Sequence, residues 1–280
     1  MTVAESPVQG RVVFVLATPE SGAEQVVAAL GCLTGVAAAP VPTHVFSQGV
    51  ELILDTWLSR TKDALGDKAD DARFFAAVRA LADAPLAARL DATDAGRVVE
   101  YSHDHIRLVG PMMVLYPDAQ FVHVVRDGRQ VVANLTSPLL GWAPFEAARR
   151  WCDDQRAVIE LWDQPNLHAV RIEDLRADPA SALRELAAAL DLDPSSDDIA
   201  AGAALLGDGA RPLPDDPADR SATLIDVLGP DVLDACGYEP SHPTGLRRWV
   251  AQAQLGTAGE IGWAALGAAR RFRMARQEDG

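Results

Sequence analysis

Short apolar runs alternate with longer amphipathic segments along this chain of 280 residues. Runs rich in β-branched residues are typical of buried strands, and four of them stand at 11–17, 97–101, 121–125 and 167–172. Each run is followed by a segment with apolar residues at helical spacing. Strands that alternate with helices in this way predict a central parallel sheet covered by helices on both faces, an α/β sandwich of three layers.

Apolar residues at helical spacing predict a series of helices, and these cover 23–33, 45–65, 70–90, 104–115, 129–135, 145–162, 178–190 and 222–236. Pro85 is expected to interrupt the third of them, and Pro111 to bend the fourth. Residues 35–43 and the stretch 207–219, which is rich in Gly, Pro and Asp, are predicted to be loops.

The last part of the chain differs in its charge balance. An α/β domain is expected at 1–240 and a helical C-terminal extension at 241–280. The extension carries six arginines, Arg247, Arg248, Arg270, Arg271, Arg273 and Arg276. Such a helix is expected to pack against the body of the protein or against a second copy in a homodimer. The alternative is contact with an anionic membrane surface, because the arginines flank the apolar stretch 261–266.

The formal net charge of −15 argues against nucleic acid as a partner, because a polyanion would be repelled except at a local basic site. Cys32, Cys152 and Cys236 are scattered and are expected to be reduced thiols. The sequence shows no signal peptide and no apolar run of the roughly 18 residues that span a bilayer. A cytoplasmic protein is therefore expected.

Candidate chemistry lies where two predicted strands end. The stretch 116–135, YPDAQFVHVVRDGRQVVANL, joins a buried strand to a helix through Arg126, with Arg129 in the first helical turn. Backbone N–H groups at a helix N-terminus beside a guanidinium favour anion binding. The alternative for Arg126 is a salt bridge with Asp127 or Glu173.

The first predicted strand is followed by Thr18-Pro19-Glu20-Ser21-Gly22 and a helix. A strand, a small-residue loop and a helix are the first half of a phosphate-binding βα unit. The loop is not a Walker A motif, because no Gly-Lys-Ser/Thr follows. An ordinary βα turn is the alternative.

These segments together resemble the cytosolic sulfotransferase superfamily. PDAQFVHVVRDGRQVVANL is similar to the family's 3′-phosphate motif PDAxFIxxVRDxRxVxxS, and VRIEDLRADPASALRELAAALDL to its segment RYEDLxxDPxxxLxxLxxFLGL. The resemblance covers roughly residues 11–240. It implies a P-loop-like sulfotransferase fold, a bacterial transferase and the cofactor 3′-phosphoadenosine 5′-phosphosulfate (PAPS).

The resemblance also implies roles for single residues. Ser21 and Gly22 match the loop that holds the 5′-phosphosulfate, while Arg126 and Asn134 match the side chains that bind the 3′-phosphate. Arg211, in the late loop, is a candidate for the family's C-terminal arginine at the same phosphate. His103 matches the family's catalytic histidine, which acts as general base.

Some positions depart from the family pattern. The family loop reads Arg/Lys-Ser-Gly-Thr-Thr/Ser, whereas Glu20 stands at the cation position and Ala23 and Glu24 at the hydroxyl positions. The family lysine before the catalytic histidine corresponds to Tyr101. A loop histidine in a supporting hydrogen bond is the alternative for His103, and His105 is the alternative base. No metal site is expected, because no third ligand accompanies the two histidines.

The favoured hypothesis is transfer of a sulfuryl group from PAPS to a hydroxyl of a small-molecule acceptor held by the helices over 46–90. A composition rich in Ala, Arg and Asp with little Lys suggests a bacterial source and a specialised metabolite as acceptor. A second hypothesis is a sulfotransferase fold that has lost PAPS use and performs other transferase, cyclase or hydrolase-like chemistry. A third is a non-catalytic partner protein.

Overall fold

A sheet of five parallel strands forms the centre of the fold, in a computed structural model that describes residues 6–38, 43–66, 70–207 and 220–240. The strands lie in the order β2-β3-β1-β4-β5, and each neighbouring pair is parallel. Their bounds are β1 Val12–Leu16, β2 Val36–Ala38, β3 Arg97–Tyr101, β4 Gln120–Val125 and β5 Leu167–Arg171. The predicted α/β architecture with a central parallel sheet is confirmed.

Alternate residues of the strands enter two separate cores. On β1, Val12, Phe14 and Leu16 join one apolar cluster, whereas Val13 and Val15 join the other. Successive side chains of a strand point to opposite faces, so helices must cover the sheet on both sides. This explains the continuous apolar runs of the sequence and confirms the three layers.

The strand β2 corrects the prediction of a loop over 35–43. Its three residues, Val-Ala-Ala, pair with β3 at the edge of the sheet, and only Ala37 among them is buried. So short a segment of small residues carries no alternating pattern. Pairing with the longer β3 makes it a strand.

The helices of the first half of the chain follow the prediction closely. The segment over 45–65 is helical throughout, with π-helical turns at Val45–Val50 and Trp57–Thr61 beside α2 (Glu51–Thr56) and α3 (Lys62–Leu65). The predicted break at Pro85 is wrong, because α4 runs unbroken from Asp71 to Thr93. A proline removes the hydrogen bond to the carbonyl four residues earlier, and Leu81 at that position is exposed. The remaining helices are α1 Ala23–Leu30, α5 Val109–Leu115, α6 Gly128–Leu135, α7 Pro144–Ile159, α8 Ile172–Ala177, α9 Pro179–Ala189, α10 Ser196–Gly207, α11 Arg220–Leu228 and α12 Pro230–Ala235.

The chain divides into two compact units, Met1–Arg126 with Asp153–Pro212, and Asp127–Cys152 with Leu213–Gly280. The first unit holds the whole sheet. The predicted boundary at residue 240 stays a prediction, since the extension at 241–280 lies outside the described residues. Most of the predicted loop at 207–219, with Arg211, lies outside them as well.

In the second unit, α6 begins at a capped turn. The Asp127 carboxylate accepts a hydrogen bond from the Arg129 backbone N–H at 2.9 Å, and the Arg129 guanidinium returns to the same carboxylate through Nε at 2.9 Å and Nη2 at 2.8 Å. These bonds raise the pKa of Arg129. A Cβ on Gly128 would lie 2.7 Å from the Trp151 ring, so the helix starts with glycine because that ring leaves no space.

None of the three cysteines, all of which are described, forms a disulfide bond in the structure. Within the described ranges, no helix has both the length and the apolar character needed to cross a membrane.

Candidate active site

The loop after β1 occupies the point where the strand order reverses. The chain leaves β1 for β2 and β3 on one side and later places β4 and β5 on the other. Open α/β sheets bind ligands outside the carboxyl ends of the strands at such a point. The loop Thr18–Gly22 lies there and leads into α1.

Two residues of this loop have left-handed backbone conformations, Glu20 with φ 69° and Gly22 with φ 88°. A Cβ on Gly22 would lie 2.9 Å from Cγ1 of Ile172, the first residue of α8. The position therefore needs glycine both for its backbone angle and for the close approach of α8. The turn leads directly into α1, and the earliest N–H groups of a helix have no carbonyl partner within it.

Ser21 adds a hydroxyl group to this turn. The residue is 1% exposed, and its Oγ has no hydrogen-bond partner among the described residues. An unpaired buried hydroxyl costs about 1–3 kcal/mol, so its presence points to a ligand that accepts or donates a hydrogen bond there.

Arg126 holds the loop from the neighbouring strand. It follows the last residue of β4, is 5% exposed, and donates from Nη1 to the backbone carbonyl of Glu20 at 2.8 Å. Arg126 and Ser21 thus belong to the same short loop region, as the sequence suggested. The predicted contact of Arg126 with a 3′-phosphate stays a prediction.

A chain of buried polar side chains fixes the start of the loop, and the sequence analysis missed it. Gln155 on α7 donates to Oγ1 of Thr18 at 3.1 Å, and Trp162 donates to Nδ1 of His123 at 3.0 Å. Burial lowers the pKa of His123 to about 3, against the opposite effect of its hydrogen bond with Gln155. His123 is therefore neutral and accepts the hydrogen bond of Trp162 at Nδ1. The only signal in the sequence was a histidine within an apolar strand.

Tyr101, His103 and Glu24 form a second cluster, beside the first turn of α1. The Tyr101 hydroxyl lies 2.5 Å from Nδ1 of His103 and 3.4 Å from Oε1 of Glu24. Nε2 of His103 lies 3.6 Å from the same carboxylate oxygen. Tyr101 is buried, whereas the side chains of His103 and Glu24 are 47% and 59% exposed, so the cluster opens to solvent.

Two tautomers of His103 satisfy these contacts, because the Tyr101 hydroxyl can donate either to Nδ1 of His103 or to Glu24. A tyrosine hydroxyl has a single proton, and if it donates to Glu24, its oxygen accepts from Nδ1–H of the imidazole. Nε2 is then left with its lone pair, which is the arrangement of a general base. The nearby Glu24 carboxylate would stabilise the imidazolium formed when Nε2 takes a proton.

His105 has a different environment from His103. It is fully buried, neither ring nitrogen has a hydrogen-bond partner within the described structure, and Phe14 and Phe46 contact it edge to face at 5.8 and 5.4 Å. Burial, with a smaller contribution from the charge of His44, lowers the pKa of His105 to about 3. His105 is thus closed off from solvent, whereas the side chain of His103 is about half exposed, and the role of His103 as the base stays a prediction.

The buried His105 is expected to destabilise the protein in acid. Its pKa rises from about 3 in the folded state to about 6.5 on unfolding, so only the unfolded chain takes up its proton between these values. The free energy of unfolding should fall by about 1.4 kcal/mol per pH unit between about pH 6 and pH 4 from this group alone. His105→Phe should lower the slope by that amount in denaturant titrations over this range. An unchanged slope would show that His105 is protonated in the folded protein.

Asn134 and Arg211 are the remaining predicted binding residues. Asn134 belongs to the second compact unit, on α6, where it is half-buried. Its predicted role and that of Arg211 stay predictions. Glu100, at the centre of β3, is fully buried and pairs with Arg89. Among the described side chains, no group of three or more His, Cys, Asp and Glu is placed to hold a metal ion.

Comparison with known proteins finds a family and solved structures that are similar to this chain. A family model described as "Sulfotransferase family" matches residues 13–197. The sulfotransferase domain of the Synechococcus PCC 7002 olefin synthase has 20% identity and a TM-score of 0.50, over 67% of this chain and 75% of that domain. The sulfotransferase domain of the curacin biosynthetic pathway has 16% identity and a TM-score of 0.47, over 68% and 76% of the two chains. No curated protein sequence matches significantly.

Proposed function

This chain belongs to the sulfotransferase family, and we propose that it transfers a sulfuryl group from PAPS to a hydroxyl group of a small-molecule acceptor. The observation that carries the proposal is the loop after β1. It combines a buried Ser21 hydroxyl, which has no hydrogen-bond partner in the part of the chain that the structure describes, with the N-terminus of α1, and it is held by Arg126. His103 lies beside the first turn of the same helix.

The residues of the loop fit the phosphate and sulfate groups of PAPS. Gly22 permits the left-handed turn and the close approach of α8, and the Ser21 hydroxyl and the first N–H groups of α1 supply donors for anionic oxygens. Arg126 keeps Glu20 in its left-handed conformation through the carbonyl bond. In the proposed complex the Ser21 hydroxyl and the first N–H groups of α1 would hold the 5′-phosphosulfate.

His103 is the proposed general base. Bound PAPS supplies an activated sulfuryl group, so that an O–S bond forms with the acceptor as the S–O bond to the 5′-phosphate breaks and adenosine 3′,5′-bisphosphate leaves with the electron pair. Nε2 of His103 takes the proton of the acceptor hydroxyl. Tyr101 orients the ring through Nδ1, and Glu24 stabilises the imidazolium.

The acceptor is proposed to be a specialised metabolite held by the helical segments over 46–90. One described groove of these helices is a poor candidate for the acceptor site. It has a volume of about 620 Å³ and is lined by Phe75, Arg79 and Asp83 together with Pro7 and Pro117. The two prolines precede β1 and β4, so this groove lies at the amino ends of the strands, away from His103.

Calorimetry with adenosine 3′,5′-bisphosphate tests the donor, and transfer of ³⁵S from labelled PAPS to a panel of hydroxylated compounds tests the reaction. Saturable binding and labelled product are expected. Absence of binding at millimolar nucleotide would exclude PAPS as the donor.

A second candidate function rests on the acidic character of the site. Glu20 and Glu24 flank Ser21-Gly22, and Tyr101 contacts Glu24, an arrangement also suited to acid–base chemistry on a neutral substrate. This second hypothesis gains support if the parent protein does not bind the nucleotide and the double variant Glu20→Lys/Tyr101→Lys does.

A further inference from the structure

The loop after β1 carries no cation of its own, because its sequence is Thr18-Pro19-Glu20-Ser21-Gly22. An arginine from another element lies against it. Nη2 of Arg176, on α8, is 3.5 Å from the position that a Cβ on Gly22 would occupy. The same nitrogen donates to Oε1 of Gln25 on α1 at 2.6 Å.

A second guanidinium lies close to Arg176. Burial, and then the positive charge of Arg126, lower the pKa of Arg176, while Glu173 acts in the opposite direction. Arg126 itself contacts the loop through the carbonyl of Glu20. Two partly or fully buried guanidinium groups are therefore held around one short loop, although they repel each other.

Two further groups at the loop favour an anion, whereas the carboxylate of Glu20 in the same loop opposes one. Ser21 offers a buried hydroxyl without a partner among the described residues, and the N-terminus of α1 adds the positive end of a helix dipole. The nearby carboxylate of Glu24 contacts Tyr101 and His103. The negative charge of Glu173 acts on Arg176 and raises its pKa. An anion bound at the loop beside Arg176 would reduce this repulsion and give Ser21 a hydrogen-bond partner.

We infer that Arg176 supplies the positive charge for this loop and binds the phosphate–sulfate end of the donor together with Ser21. The inference rests on the proposed function, and it names a binding residue on α8 that the motif positions do not include.

Inorganic pyrophosphate is a suitable probe, because it has two linked tetrahedral anions and no nucleoside. Calorimetry should show that Arg176→Gln binds pyrophosphate about tenfold to a hundredfold more weakly than the parent protein, the usual effect of losing a hydrogen bond to a charged group. Arg176→Lys should recover part of the loss, since it restores the charge without the bidentate geometry.

Two control variants separate charge from structure. Gln25→Ala removes a hydrogen-bond partner of Arg176 but leaves the charge of Arg176 in place. Arg184→Gln exchanges an arginine for glutamine at an exposed position of α9, where Nη1 donates to the carbonyl of Ala180. Both should bind pyrophosphate much better than Arg176→Gln. Circular dichroism and the unfolding midpoint verify that each variant is folded.

Equal binding by Arg176→Gln and the parent protein would overturn the inference, and so would the absence of pyrophosphate binding to the parent. The proposed function has its own readout. Sulfuryl transfer with an unchanged KM for PAPS in Arg176→Gln would leave that function standing and remove Arg176 from it. Pyrophosphate binding that depends on Arg176, without any sulfuryl transfer, would support the inference and contradict the proposed function.

Discussion

Replacement of His103 by glutamine is expected to lower kcat for sulfuryl transfer by about 10²–10⁴-fold, the usual contribution of a positioned general base. Glutamine keeps a similar size but has no group that takes a proton at neutral pH. The Kd of adenosine 3′,5′-bisphosphate should stay the same, because the imidazole contacts Tyr101 and Glu24 and lies outside the loop of Ser21.

The two partners of His103 should have smaller effects. Glu24→Gln keeps the hydrogen bond with Tyr101 but removes the charge 3.6 Å from Nε2. That side chain is 59% exposed, so solvent screens the interaction. The kcat of Glu24→Gln should fall less than that of His103→Gln. Tyr101→Phe should also lower kcat, because the imidazole loses the hydroxyl that orients it.

His168→Gln is the matched control. This histidine lies on β5, is half-buried and contacts Gln120 at 2.8 Å, so it shares the sheet but has no contact with the cluster of Tyr101. Steady-state rates with labelled PAPS separate the variants. A kcat of His103→Gln equal to that of His168→Gln would assign His103 a supporting role only.

Loss of Arg89 is expected to cause the largest drop in stability. The Glu100 carboxylate is fully buried in β3 and contacts Arg89 on α4, while Oε1 accepts hydrogen bonds from the backbone N–H and hydroxyl of Thr43 at 2.9 and 2.8 Å. Arg89→Met would leave a buried carboxylate without its cation. Removal of one partner from such a pair costs about 3–5 kcal/mol.

Removal of the charge of Glu100 should lower the free energy of unfolding by less than removal of the charge of Arg89. In Glu100→Gln the remaining charge belongs to Arg89, whose side chain is 21% exposed and is able to reach water. The double variant Arg89→Met/Glu100→Gln should recover part of the loss, because no buried charge remains. Chemical denaturation measures the free energy of unfolding of each variant.

An exposed ion pair of the same kind provides the control. Arg107 and Asp104 lie 3.2 Å apart with side chains 50% and 36% exposed, so Arg107→Met should change stability by less than about 1 kcal/mol. If Glu100→Gln proves as costly as Arg89→Met, desolvation of the carboxylate is not the source of the effect.

Much of the fold follows from local patterns. The runs at β1, β3, β4 and β5 are apolar because each strand has a core on both faces, and the helices between them have apolar residues at helical spacing. The missed elements are short or atypical. β2 has three small residues, α8 begins directly after β5, and α10 is rich in Ala and Gly. The helix predicted over 222–236 divides into α11 and α12 at Gly229-Pro230.

In the candidate site, too, local patterns predict some features and miss others. The sequence by itself determined the loop of Ser21 and Gly22, the arginine after β4 and the histidine after β3, because motif residues at strand ends meet at one edge of a parallel sheet. Only the tertiary structure decided that His105 is buried, that Tyr101 meets Glu24 across 77 positions of the chain, and that Arg176 meets Gln25 across 151. Those contacts depend on strand order and on the path of α8 past Gly22. Neither is encoded in a local pattern, because the packing of distant segments sets both.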